Sequence, residues 1–257
     1  MNKTVLMFAL LASLLLGACS EDDNESNSTQ PIRTETEVSE VPVWHIDWSN
    51  NQERPDWKEP DLSSIYENWT ILKVQIEEAL QPYASKDDLM ALFVNGELRG
   101  LAKPAVIVGS DQSSNTKYLI KAWGNETGSE TVHISLLYYS QTLKHLFTLT
   151  GNITLDSDET TGIDEAFIPK FTLGSSKYPV TKTVGVESIL INVGIKPVSG
   201  GMVAAFVGEE CRGTVSLSAS GVTQLLIFGR TAGETVSLKY YDATAGKLYT
   251  ITNAVIL

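Results

Sequence analysis

Ala91-Leu92-Phe93-Val94-Asn95-Gly96-Glu97-Leu98-Arg99-Gly100 and Ala204-Ala205-Phe206-Val207-Gly208-Glu209-Glu210-Cys211-Arg212-Gly213 agree at six of ten positions without a gap. The likeness continues in order: Trp123-Gly124 lies over Phe228-Gly229, Glu130-Thr131-Val132 over Glu234-Thr235-Val236, Tyr138-Tyr139 over Tyr240-Tyr241, and Phe147 over Tyr249. An internal repeat of this length predicts two related folded units. Upstream, Leu72-Lys73-Val74-Gln75-Ile76 is expected to correspond to Ile191-Asn192-Val193-Gly194-Ile195 as a leading strand in each copy.

Inside the repeat, Asn95-Gly96 is a two-residue hairpin signal, because both central positions of a type I′ turn need positive φ. Counting back from the turn predicts Ala91, Phe93, Leu98 and Gly100 on one face of the hairpin, and Ala204, Phe206, Cys211 and Gly213 on the same face in the second copy. Phe93, Arg99, Gly100, Phe206, Arg212 and Gly213 are thus the structural core of the repeat. The opposite face carries Glu97 with Arg99 and Glu210 with Arg212, since residues two apart on a strand point the same way. Each pair is expected as an ion pair that supports the fold, with a ligand-contacting pair as the competing reading. Cys211 aligns with Leu98, which marks it as a small buried hydrophobe and not a nucleophile.

Outside the repeat the pattern stays β: short runs of Val, Ile, Leu, Thr and Tyr alternate with polar residues and are punctuated by Gly, Asn and Asp. One helical turn is expected near residues 76–80. The fold class is all-β, with two tandem related Ig-like β-sandwich modules at 66–171 and 178–257, sandwich being preferred over barrel. A short connection between them predicts tight pairing. Residues 41–65 form a Trp-rich segment ahead of the first module, and residues 19–40, rich in Ser, Asn, Thr and Glu, form a disordered tether.

The N-terminus is basic at Lys3, apolar from Val5 to Leu16, and small thereafter. That run is too short for a bilayer core that needs about 20 residues, so residues 1–18 form a cleavable secretory signal. Leu16-Gly17-Ala18-Cys19 resembles the lipobox of bacterial lipoproteins, which implies cleavage before Cys19 and a palmitate-type acyl anchor on its thiol. An ordinary cleavage site near Ala18 with an incidental cysteine is the alternative. The acidic cluster Ser20-Glu21-Asp22-Asp23-Asn24-Glu25 resembles the export signal of surface-exposed lipoproteins of the Bacteroidota; a plain solvated tether is the other reading. The implied location is the outer membrane, lipid-anchored and facing the cell surface, with outer-membrane lipid as the partner of acylated Cys19.

Loss of Lys3 with the signal takes the net charge from −12 to −13, which excludes nucleic acid as a partner, because phosphate binding needs clustered Lys and Arg. With only two cysteines and Cys19 committed to lipid, Cys211 has no intramolecular partner and no disulfide framework exists. About 240 mature residues must therefore hold their fold by apolar burial.

Four of the five tryptophans, Trp44, Trp48, Trp57 and Trp69, fall within residues 41–69, with Pro42, Pro55 and Pro60 between them. As candidate ligand-binding residues they would stack pyranose rings on exposed indole faces. The competing reading is a Pro-broken segment that wraps over the modules and buries its indoles. Trp123, matched by Phe228, is expected in the core. His45, His133 and His145 show no metal-ligand spacing, and no nucleophile elbow, phosphate loop or dinucleotide fingerprint occurs. Acidic neighbours such as Glu77-Glu78, Asp87-Asp88 and Glu209-Glu210 would point to opposite faces of a strand. Asp156-Ser157-Asp158-Glu159-Thr160-Thr161-Gly162-Ile163-Asp164-Glu165 fails the EF-hand template, with Thr161 where Gly is needed and Phe167 at the twelfth position. No catalytic residue, metal site or cofactor is expected.

The core Ala-x-Phe-Val-x-x-Glu-Cys-Arg-Gly, followed by an aromatic-Gly pair and a Tyr-Tyr strand, resembles a repeated β-module of surface and secreted Bacteroidota proteins. The second copy matches it well; the first departs at Leu98 and at Tyr139-Ser140. The resemblance covers residues 66–257 and implies a small accessory or display β-sandwich with no catalytic residues to carry over. The expected function is a non-catalytic, lipid-anchored cell-surface binding module for glycan or protein ligands. The alternative is a structural or assembly component of a surface complex, and a hydrolase of unrecognised type is a third reading.

Overall fold

The computed structural model describes residues 31–48, 53–105, 115–126, 133–149, 153, 160–161, 166–219 and 223–257. The signal, Cys19, the acidic cluster after it, Glu130 and most of the acidic stretch 156–165 lie outside these. The protein is mostly β, with several antiparallel sheets.

The order is β1 (Ile32–Glu37), β2 (Trp69–Gln75), a 3-10 helix (Glu78–Tyr83), β3 (Leu89–Val94), β4 (Glu97–Ala102), β5 (Lys117–Trp123), β6 (Ile134–Ser140), β7 (His145–Leu149), β8 (Thr160–Thr161), β9 (Phe171–Thr172) and β10 (Val180–Gly185). Then follow α1 (Val186–Asn192), β11 (Met202–Val207), β12 (Glu210–Ser216), β13 (Gln224–Gly229), β14 (Thr235–Asp242) and β15 (Lys247–Ile256). The sheets run β5-β2-β8 and β4-β3-β6-β7-β9 in the first copy, and β10-β13 and β12-β11-β14-β15-β1 in the second. Strands β2 to β7 thus recur as β10 to β15, each in the same place, and a short turn of helix follows the leading strand in both.

The leading strand of the second copy is Val180–Gly185, whereas residues 191–195, expected to form it, are the end of α1 and the turn after it. Length explains the error: an apolar run this short reads equally as strand or helix. Residues 32–37 also depart from expectation. Placed in the tether by composition, they pair with β15 from Ile32↔Thr252 to Glu37↔Lys247 as an edge strand with every side chain exposed. Cross-strand backbone bonds hold them, and those need no apolar side chains.

Both hairpins form where the repeat predicts them. Asn95 and Gly96 have φ of +49° and +84°, the type I′ pattern, while in the second hairpin Gly208 alone is left-handed at +59°, as a type II′ turn requires. Phe93 faces Leu98 and Phe206 faces Cys211 as counted, but a bulge follows in each hairpin. Leu92 then faces Gly100 and Ala91 faces Leu101; Ala205 faces Gly213 and Ala204 faces Thr214. Arg99 and Arg212 are the extra residues, so Gly100 and Gly213 belong to the opposite face from the expected one. One inserted residue reverses every side chain beyond it. The glycines follow from close approach: a Cβ at Gly100 would stand 2.7 Å from the Lys121 carbonyl oxygen, and one at Gly213 2.4 Å from that of Leu226.

Leu72, Val74, Tyr118 and Ile120 from one sheet meet Met90, Leu92, Leu136, Tyr138 and Phe147 from the other. Val203, Ala205, Leu225, Ile227, Leu238 and Tyr240 belong to the same continuous core, which therefore runs through both copies. Phe206 lies outside it, in a separate small cluster with Ala204 and Cys211 on the outer face of its hairpin.

Candidate functional site

Each bulged arginine is the hub of the same set of contacts. Arg99 Nε donates to Glu97 Oε2 at 2.6 Å and Nη1 to the Trp123 carbonyl at 3.1 Å; Nη1 is 3.4 Å from Glu126, and the guanidinium lies 3.8 Å over the Tyr66 ring. Arg212 repeats this with Glu210 at 2.9 Å, the Phe228 carbonyl at 3.2 Å, Glu234 at 3.5 Å and the Tyr178 ring at 4.6 Å. The Tyr66 hydroxyl donates to Glu97, and the Tyr178 hydroxyl lies at the same 2.8 Å from Glu210. The arginine–glutamate pairs are therefore ion pairs of the fold. Glu126 holds the position that Glu234 holds in the second copy, close against Gly124 as Glu234 is against Gly229. The two tyrosines escaped the sequence comparison because they precede the matched segments; the strand registers Trp69↔Trp123 and Thr181↔Phe228 are what place Tyr66 over Tyr178.

The second hub is the more charged. Lys177 reaches Glu210 and Asp47 at 3.0 Å each, and Arg230 bonds Glu210 at 2.9 and 3.0 Å. Burial works to raise the Glu210 carboxyl, but the hydrogen bonds from Tyr178, Lys177 and Arg230 and the Arg212 charge outweigh it and hold it at about 2. Glu97 is lowered as well, first by the Tyr66 hydroxyl.

The four N-terminal tryptophans do not converge on one groove. Trp44 sets its edge against Phe206 at 6.3 Å, and Trp57 does the same to Phe93 at 5.7 Å. Phe93 and Phe206 thus have like surroundings, each covered by an indole from the Pro-broken segment. Trp48, between them in sequence, is buried where the copies meet. It stacks on His145 of β7 at 4.2 Å, meets Phe228 of β13 at 4.7 Å, and donates Nε1–H to the Leu143 carbonyl at 2.8 Å. Burial holds the His145 imidazole down at about 4. β1 and Trp44 on the second copy, Trp48 between the copies and Trp57 on the first thus strap the two copies together. Cys211 lies under Trp44 beside Phe206, and burial pushes its thiol up.

Trp69 alone of the four stays exposed, at 45 %. It opens β2 and sits opposite Trp123 of β5; below this pair come Ile71↔Lys121, Lys73↔Leu119 and Gln75↔Lys117. These eight side chains alternate with the buried Thr70, Leu72, Val74, Tyr118, Ile120 and Ala122, so they form the outer face of the β5-β2-β8 sheet. Trp123, expected in the core, therefore stands half-buried on this outer face, with Nε1–H donated to the Pro60 carbonyl at 3.2 Å. Lys121 Nζ lies 3.8 Å above the Trp123 ring and 4.9 Å from that of Trp69. Leu119 is 56 % exposed. Ile168, at 50 %, follows Phe167, which bridges Val74 and packs on the core, so Ile168 points outward beside Gln75.

Among the described residues, no three His, Cys, Asp or Glu side chains are grouped to hold a metal ion. The fold and this face define a mostly β protein with one open aromatic and basic sheet face. Comparison with family models, curated proteins and solved structures returns no match.

Proposed function

We propose that the chain is a non-catalytic, lipid-anchored protein of the bacterial outer-membrane surface. Its two Ig-like β-sandwich modules form a binding unit for glycan or protein ligands. The observation that carries this reading is the open face of the β5-β2-β8 sheet, where Trp69, Trp123, Leu119 and Ile71 lie among Lys73, Lys117 and Lys121. Flat apolar rings beside cations suit a ligand that offers apolar surface and negative charge. The lipobox-like Leu16-Gly17-Ala18-Cys19 and the acidic stretch after it support the anchor and the surface location, and the repeat supports a display module.

A second reading, an assembly component of a surface complex, draws on β1. It is a terminal strand with all six side chains exposed, and such an edge is a template for another chain. One experiment separates location from binding. Cells grown with labelled palmitate should label the chain, lose the label with Cys19→Ser, and expose the protein to external protease. The chain from residue 20 onward is then screened against glycans and envelope proteins by tryptophan fluorescence. Binding through the proposed face should shift the emission, and Trp69→Phe should abolish the shift. No label, no cleavage on intact cells and no ligand that shifts the emission would overturn the reading.

A further inference from the structure

We infer that the outer face of the β5-β2-β8 sheet docks an acidic protein segment carrying aliphatic or aromatic side chains. The inference rests on the reading of the chain as a binding protein and names the partner.

The first argument is that the second copy already has its corresponding face occupied by protein. With Tyr66 over Tyr178 and Trp123 over Phe228, the positions of Lys121 and Trp123 become Leu226 and Phe228, and that of Trp69 becomes Thr181. Leu226 and Phe228 alternate with the core residues Leu225 and Ile227, yet they too are buried. Trp48 covers Phe228, and the 3-10 turn Glu78–Tyr83 lies against β13, where the Leu226 N–H donates to the Tyr83 hydroxyl at 2.8 Å. The outer-face ring of the second copy is thus covered by an aromatic side chain of the chain itself, Trp48, while Tyr83 closes the free edge of β13.

The second argument is chemical. On the first copy the same face leaves Trp69, Leu119 and Ile168 each about half exposed. Among them stand Lys73, Lys117 and Lys121, with no carboxylate at any of the eight paired positions, on a chain of net charge −12. Among the described residues these lysines enter no salt bridge. An apolar face with cations on a strongly acidic protein is complementary to an acidic partner.

The third argument separates protein from glycan. The Lys121 ammonium lies over both indole rings, 3.8 Å from the Trp123 centroid and 4.9 Å from that of Trp69, so one face of each ring is covered by a cation and not left bare for a pyranose. An incoming group therefore meets an ammonium backed by two indoles, which favours a carboxylate, while Leu119, Ile71 and Ile168 supply apolar contact for neighbouring side chains.

The test uses the chain from residue 20 onward, which keeps every described residue. It is applied to an array of decapeptides pairing Glu or Asp with Leu, Ile, Phe or Tyr, to matched neutral and basic arrays, and to polygalacturonate as an acidic glycan. Binding should be confined to the acidic–apolar peptides and should weaken with salt. Lys121→Glu and, independently, Leu119→Ser should each weaken it by about tenfold or more, while Lys196→Glu, an exposed lysine elsewhere, should leave it unchanged. Both variants alter outer-face side chains, and unchanged melting temperatures would show them folded. Binding to polygalacturonate alone, lost in Lys121→Glu, would overturn the protein partner while leaving the binding reading in place. Concentration-dependent dimerisation abolished by the same variant would overturn it in favour of a second copy. Equal binding to all peptides would overturn it too, and no binding to any probe or envelope protein would overturn both.

Discussion

The outer face of β10-β13 and the outer face of β2-β5 occupy the same place in two copies of one fold, and they have opposite fates. The first is covered from within the chain by Trp48, and its residues Leu226 and Phe228 are buried. The second stays open and keeps Trp69, Lys121 and Trp123. The difference teaches that a repeated β unit can close one copy of a face from within the chain while the matching face of the other copy stays open. The arginine hubs differ in the same direction. Arg212, next to the join, is 2 % exposed and its Glu210 partner 19 %, whereas Glu97, the partner of Arg99, is 42 % exposed.

The sharpest way to break the comparison is Trp48→Ala, which uncovers the second face. Removing a buried indole should destabilise the protein by about 3–5 kcal/mol, read as a lower midpoint in denaturant. The newly exposed Phe228 should bind a hydrophobic dye. A midpoint within error of the parent would mean that the strap does not hold the join.

The two hubs can be compared directly. Arg212→Ala removes a guanidinium that is 2 % exposed, with its bonds to the Phe228 carbonyl and Glu234, while Glu210 keeps Lys177 and Arg230, and should cost roughly 3 kcal/mol. Arg99→Ala leaves Glu97 able to rehydrate and should cost about half as much or less. Equal losses would contradict the assignment of the second hub to the join.

The last test concerns pH and leaves stability at neutral pH in place. His145 is held at about 4 by burial against an ordinary value near 6.5, so the unfolded chain binds its proton first as pH falls. Stability from the neutral ring is fully present above about pH 6.5 and is lost as pH falls towards 4, on the order of 3 kcal/mol in all at about 1.36 kcal/mol per pKa unit. His145→Phe keeps a ring against Trp48 and should flatten the melting temperature across that window. An unchanged slope would assign the pH dependence to other groups.

The hairpins, their turns, the Glu–Arg pairs and the burial of Cys211 were legible in the sequence, because turn residues and alternation act over a few neighbouring positions. The bulges were not. Nothing local announces that Arg99 and Arg212 are extra residues, since the bulge is stabilised by distant partners: the Trp123 carbonyl and Glu126, or the Phe228 carbonyl and Glu234. The edge strand β1 was illegible for a related reason, as its polar composition resembles a tether and its backbone bonds go to β15. The tryptophans divided likewise: clustering showed that they matter, yet only contacts made across the chain bury Trp48 and leave Trp69 open.

Sequence alone determined that the protein is β-rich, that a hairpin unit occurs twice, and where its turns fall, because φ preferences and strand periodicity are properties of short segments. Tertiary structure alone decided which of two matching faces is closed and which is open. That choice depends on where a remote side chain, Trp48, comes to rest, and no local preference encodes it.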